Sequence, residues 1–172
     1  MRLDYAGELS AYDTRLLTVA ALNGAFEGRT DQPVNYVNAP LIAAERGVEV
    51  VEGKRSSSRD YRNLVQVAAD GATVAGTTIG QENRQWLVEA LGYQLEIELA
   101  PKMALLLYDD LPGVIGRIGT SFGAAGVNIA NMAVSRTREG GKALMALSLD
   151  SQVPEELLAE LRKSSDTVFV VQ

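Results

Sequence analysis

Two polar chain reversals, Tyr108-Asp109-Asp110-Leu111-Pro112-Gly113-Val114 and Gly126-Val127-Asn128-Ile129, bracket an apolar helical stretch that is itself flanked by apolar strands. A strand-helix-strand unit of this kind leaves the chain little freedom. Its helix must cross one face of a sheet and return the second strand parallel to the first. The pattern then continues, so that the whole stretch reads as strand 103–108, helix 113–124, strand 128–135, turn 138–141, strand 142–149, helix 154–163 and strand 167–171. Pro154 with Glu155-Glu156 suits the start of the last helix, and Arg162-Lys163 suit its final turn, each complementing the helix dipole.

That order is βαββαβ and predicts a four-stranded antiparallel sheet with both helices on one face, the ferredoxin-like arrangement. Upstream, periodicity predicts a strand over 2–9. A helix follows whose buried face is Leu16, Leu17, Ala20, Ala21 and Gly24, capped by Asp13 or Thr14. A shorter helix begins at Asn38-Ala39-Pro40, with Asn38 as N-cap and Pro40 in the first turn, and Gly47 ends it. Strands are expected over 48–52, 63–69, 72–79, 86–91 and 93–99, the Asp70-Gly71 pair marking a hairpin. Alternation stops at Ala100-Pro101-Lys102, which divides the chain into domains 1–100 and 101–172. The fold class is α+β: a mixed α+β domain, then the βαββαβ domain.

Composition removes several functions. With 172 residues and 47% hydrophobic content the chain can bury a sizeable core, and its longest apolar runs are too short to cross a bilayer. A net charge of -6 argues against a nucleic-acid or anionic-membrane surface. The one basic cluster, within 53–62, reads as a solvated loop. Without Cys or His there is no thiol nucleophile, no Cys/His zinc site and no Ser-His-Asp arrangement. Asp109-Asp110 lacks the alternating acidic spacing of a calcium loop, and no Gly-x-Gly-x-x-Gly follows a strand. Neither a catalytic residue, a metal ligand nor a cofactor site is expected, and the chain alone is not read as an enzyme.

The two reversals carry chemistry suited to a zwitterion. Asp110 can pair with an α-ammonium, Asn128 can donate to a carboxylate while accepting from a hydroxyl or ammonium, and Tyr108 adds a phenol. Amides at the helix start near Gly113 offer donors to a carboxylate. Singly, each residue also has a structural use: Asp110 as a helix cap, Asn128 in a turn, Tyr108 as a half-buried strand residue. Gly116 and Gly119 within the helix cost about 1 kcal/mol each against Ala. Either a ligand or backbone approaches there, or helix and sheet pack closely. Because the first two strands of the unit run parallel, Asp110 ends one and Asn128 begins the other at opposite edges of the sheet. They cannot share a small ligand within one chain, so a two-fold partner is expected to complete the site.

Through Asp110-Leu111-Pro112-Gly113-Val114 and Gly126-Val127-Asn128-Ile129 this unit resembles an ACT domain, an amino-acid-sensing module. Val37-Asn38-Ala39-Pro40 with Ala43-Ala44-Glu45-Arg46-Gly47 resembles the intervening domain that precedes it in long-form, actinobacterial-type D-3-phosphoglycerate dehydrogenases. The resemblance implies an L-serine site drawing on Tyr108, Asp110, Leu111, Pro112, Gly113, Val114, Asn128 and Ile129, in a cytoplasmic homodimer built through the ACT domain that can pair into a tetramer. It also implies that catalysis and NAD binding lie in domains N-terminal to this region, so that the chain reads as an excised fragment. The stretch Tyr93-Gln94-Leu95-Glu96-Ile97-Glu98 carries two carboxylates and no cation, with Arg84 upstream, so the first domain is expected to act as a scaffold rather than a phosphate-ligand site. Other expectations compatible with the residues are a free-standing amino-acid-binding regulator, a regulatory subunit of a serine dehydratase, and a structural dimerisation module.

Overall fold

The computed structural model describes residues 1–58, 60–137 and 141–171, in two compact units, Met1–Thr78 and Ile79–Gln172. The first unit is organised around β1 (Arg2–Gly7), whose central residues Leu3, Tyr5 and Ala6 are fully buried. On one side β1 pairs in parallel with β2 (Val51–Arg55), and on the other antiparallel with β3 (Asn63–Ala69). β3 turns into β4 (Ala72–Ile79) through Asp70 and Gly71, both at positive φ, the two-residue reversal that the Asp-Gly pair predicted.

Two helices, α1 (Arg15–Phe26) and α2 (Ala39–Glu45), follow β1. The buried face of α1 differs from the expected one. It is Thr18, Leu22 and Phe26, whereas Leu16 is 79% and Leu17 42% exposed. Thr18 sets this rotation: its hydroxyl lies 2.7 Å from the Tyr5 hydroxyl and donates to the Glu52 carboxylate. A polar residue at the start of the buried stripe made that stripe look like the solvent side. Leu22 and Phe26 then pack on Ala39, Ile42 and Ala43 of α2. At the α1 start it is the Asp13 carboxylate that accepts the Arg15 amide, at 3.1 Å, while Thr14 sits at the N-cap without a side-chain cap bond.

α2 closes as expected at Gly47, which lies at positive φ, with Val48 N–H donating to Ala43 O at 2.8 Å and Gly47 N–H to Ala44 O at 3.0 Å. Val48 therefore belongs to the helix closure, and β2 starts three residues later than predicted. The strand takes in Gly53, Lys54 and Arg55, which composition had placed in a loop. Gly53 stands in register with Asp4, whose carboxylate, held by Arg2 at 2.7 and 2.8 Å, fills the space a Cβ would need.

The second unit opens with a hairpin, β5 (Arg84–Ala90) and β6 (Tyr93–Glu98), reversed at Leu91-Gly92. Both turn residues have positive φ, a conformation that Leu91 adopts without help from its composition. There follow β7 (Met103–Asp109), α3 (Val114–Ala124), β8 (Ile129–Arg136), β9 (Lys142–Leu149), α4 (Glu155–Ser164) and β10 (Thr167–Val171). Of the turn predicted at 138–141, residues 138–140 lie outside the described residues. The four strands form a sheet in the order β10-β7-β9-β8 with every neighbouring pair antiparallel, the arrangement that the βαββαβ pattern requires.

One face of this sheet carries the helices: Val114, Ile118 and Phe122 of α3 and Leu157, Leu158 and Leu161 of α4 pack on Ala104, Leu106 and Tyr108 of β7 and Ala143, Met145, Leu147 and Leu149 of β9. The other face is covered by the hairpin, through Leu87, Leu95 and Ile97 against Met103, Leu144 and Ala146. By its contacts the hairpin thus belongs with the second unit, ahead of the composition break at Ala100-Pro101. β9 is buried on both faces, which explains its unbroken apolar reading. α3 ends in the same closure as α2, with Gly126 at positive φ, Val127 N–H on Phe122 O at 2.9 Å and the Val127 side chain buried.

The corrected rotation of α1 is testable by paired truncation. Leu22→Ala is expected to cost about 2–5 kcal/mol as a buried leucine, and Leu16→Ala less than about 0.5 kcal/mol as an exposed one. Urea unfolding of both variants reads the difference, and equal shifts would contradict the rotation.

Candidate ligand site

Tyr108 ends the helix-facing row of β7, one residue before the strand terminates at Asp109. It is 1% exposed, not half-buried as its place in the sequence suggested, and among the described residues its hydroxyl meets no hydrogen-bond partner. Burial, and secondarily the charge of Asp110, push the phenol above the ordinary tyrosine value of 10.0. An unpaired buried hydroxyl costs about 1–3 kcal/mol.

Asp110 follows at the exposed end of the strand, its N–H on Gly141 O at 2.9 Å. Its side chain is 23% exposed and makes no cap bond to α3. Instead Oδ2 accepts from Arg136 Nη1 at 3.1 Å. Arg136 and Tyr108 stand in register on either side of Ala143, which places the Asp110–Arg136 pair and the phenol at one end of the sheet. Next to them Lys142 Nζ bridges Asp109 and Asp166, each at 2.6 Å, and these hydrogen bonds, Asp109's first, raise its pKa. Leu111, Pro112 and Gly113 form an exposed reversal; Gly113 occupies the α3 N-cap at φ 89°, where no side chain caps the helix. The first bond into the helix runs from Arg117 N–H to Gly113 O at 3.0 Å, leaving the amides of Ile115 and Gly116 ahead of it. Val114 points into the core.

Asn128 and Ile129 are at the opposite end of the sheet. Ile129 pairs with Leu149, whereas Asp109 pairs with Lys142, so the eight-residue β9 lies between them, about 25 Å. Ile129 is half-buried against the helix-side core, and the exposed Asn128 donates from Nδ2 to Asp150 Oδ2 at 2.6 Å. The structure therefore brings Tyr108, Asp110, Leu111, Pro112 and Gly113 together and leaves Asn128 and Ile129 apart from them, as the parallel run of β7 and β8 requires. Arg136 and Asp150, which hold the two predicted polar residues, were not singled out from the sequence. Each sits at a strand end, and only the sheet register shows what it faces.

Gly116, Gly119 and Gly123 of α3 have open space where a Cβ would stand, so close helix-sheet packing does not account for them. In β6 of the second unit, the stretch for which a scaffold role was expected, Glu98 pairs with Arg84 of β5 at 3.1 Å. Among the described residues no helix is long and apolar enough to cross a membrane.

The fold and the residues at its strand ends define a small-ligand-binding module of the ACT type, and the ACT domain family matches residues 103–166. The D-3-phosphoglycerate dehydrogenase intervening domain matches residues 1–89. The D-3-phosphoglycerate dehydrogenase of Mycobacterium tuberculosis is 37% identical over 165 residues, 93% of this chain and 31% of that protein. Those of Mycobacterium leprae and Bacillus subtilis are 38% identical over 156 residues and 34% over 172, covering 88% and 98% of this chain and 30% and 33% of theirs. The chain belongs to the D-3-phosphoglycerate dehydrogenase family, as its intervening domain followed by an ACT domain, and it spans about a third of the length of the relatives it matches.

The buried phenols give a pH signature. Tyr5 and Tyr108 are both raised above 10.0, chiefly by burial, so the stability they contribute is fully present below the unfolded tyrosine value and lost as pH rises through their folded values. Of the six tyrosines, these two are expected to ionise last in an ultraviolet titration. Tyr108→Phe should remove one late step and raise stability by about 1 kcal/mol by deleting an unsatisfied hydroxyl; a destabilised variant would show that the hydroxyl is paired.

Proposed function

We propose that this chain is the regulatory region of a D-3-phosphoglycerate dehydrogenase and that its ACT unit binds L-serine, the product of the pathway, between two copies for feedback control. The observation that carries this reading is the placement of Tyr108 and Asp110 at one end of the sheet and Asn128 at the other, with β8 as the edge strand between them. A second chain running antiparallel along β8 places its Asn128 beside Tyr108 and Asp110 of the first. Asp110 then takes the ammonium, the free amides at the α3 start take the carboxylate, and Asn128 from the second chain takes the hydroxyl. The α3 glycines lie on an open surface that a partner's backbone can approach.

Binding at such an interface couples occupancy to association, because a ligand that completes its contacts only in the dimer stabilises the dimer by mass action. In this reading the oxidation step and its NAD belong to the part of the relatives' length that this chain does not span. The first unit and the hairpin that follows it serve as a spacer, since the acidic β6, with Arg84 held by Glu98, disfavours a phosphorylated acid.

L-serine at a hundred times its Kd should stabilise the chain by about 2.7 kcal/mol, read as a raised Tm. Asp110→Ala and Asn128→Ala should each abolish the calorimetric heat, and mixing the two variants after confirmed subunit exchange should restore part of it. One of the two interface sites in the mixed dimer carries both defects and the other none. Recovery of nothing on mixing would rule out a site split between chains. Titration of 3-phosphoglycerate at low salt should give no heat; tight binding there would overturn the spacer reading.

A further inference from the structure

The Asn128 carboxamide is not free to present either of its ends to a ligand. Nδ2 donates to Asp150 Oδ2 at 2.6 Å, and an ionised carboxylate can only accept, so the nitrogen must face Asp150 and Oδ1 must face away. The backbone of Asp150 is fixed independently of this bond. Its N–H donates to the Asn128 carbonyl at 3.2 Å, and its carbonyl accepts from Lys102 Nζ at 3.2 Å. The pair is thus tied through backbone and side chain where the end of β9 meets the start of β8.

We infer that Asp150 is a specificity-determining positioning residue: by holding the Asn128 nitrogen it presents Oδ1, an acceptor, to the ligand and so selects an amino acid whose side chain carries a hydrogen donor. The inference rests on the site proposed above and adds what that site discriminates. Asp110 is arranged in the same manner at the other end of β8, where Arg136 engages Oδ2, but an ammonium is common to every amino acid and gives no selectivity. Discrimination therefore falls to the acceptor that Asp150 orients. A hydroxyl donates to it, whereas a methyl group leaves the oxygen desolvated and unpaired, the kind of mismatch that produces large selectivity from a single polar contact.

The test measures the Kd of the full chain for L-serine and for L-alanine, which lacks only the hydroxyl, in the native protein and in Asp150→Asn and Asp150→Ala. Asparagine keeps the size of Asp150 but can present either an oxygen or a nitrogen, so it no longer dictates the orientation of Asn128. The preference for L-serine over L-alanine should fall by about three- to tenfold in both variants, the value of one neutral hydrogen bond. A merely structural Asp150 would weaken both ligands equally, and an unchanged ratio overturns the inference while leaving the serine site standing. If the native chain binds neither amino acid, the site and this inference fall together. A second readout needs no ligand: in nitrogen-15 spectra one Asn128 side-chain proton should be displaced downfield and should return in Asp150→Asn. No change there also overturns the assignment.

Discussion

Burial of β9 on both faces is the constraint on which the second unit depends. A strand whose residues from Ala143 to Leu149 are all buried needs apolar cover above and below, and each fully buried leucine or methionine contributes about 1.5–3 kcal/mol. The helices α3 and α4 supply one cover and the β5–β6 hairpin the other, so the unit has three layers where a plain ferredoxin-like sheet has two. The hairpin lies outside the stretch matched by the ACT family, yet its apolar face completes that core.

Two-sided burial in the centre of the sheet leaves function to its margins. β9 and β7 have neighbours on both sides, and β8 alone among the ligand-site strands has an open edge. The polar chemistry gathers at the ends of that strand: Arg136 with Asp110 at one, Asn128 with Asp150 at the other. Neither end holds a full complement of groups for a zwitterion. An open backbone edge and two incomplete half-sites have the same remedy in the proposed reading, a second copy along β8, which would link ligand binding to assembly.

The first unit shows how one polar residue can redirect a helix. Leu16, Leu17, Ala20, Ala21 and Gly24 form the apolar stripe legible in α1, but the Tyr5–Thr18–Glu52 hydrogen-bond chain turns Thr18 inward and carries Leu22 and Phe26 with it. Hydrogen bonds across 13 and 34 residues of chain do not register in a local periodicity. The same limit applies to β2, whose start depends on Val48 completing the closure of α2 and on Val51 N–H finding Met1 O at 3.0 Å.

Much of the fold is determined locally. The strands β3, β4 and β9, the helices α3 and α4, the Asp70-Gly71 reversal and the closures at Gly47 and Gly126 follow from alternation, helical spacing and positive-φ turn residues, which act within a few positions of the chain. The order βαββαβ, with the crossover rule, also determines that Asp110 and Asn128 stand apart. Tertiary structure alone decided that the Tyr108 hydroxyl is buried and, among the described residues, without a partner, that Asp110 meets Arg136 rather than capping α3, and that Asn128 donates to Asp150. Those contacts join residues 22 and 26 positions apart through the register of β7, β8 and β9, and a register exists only once the strands have paired.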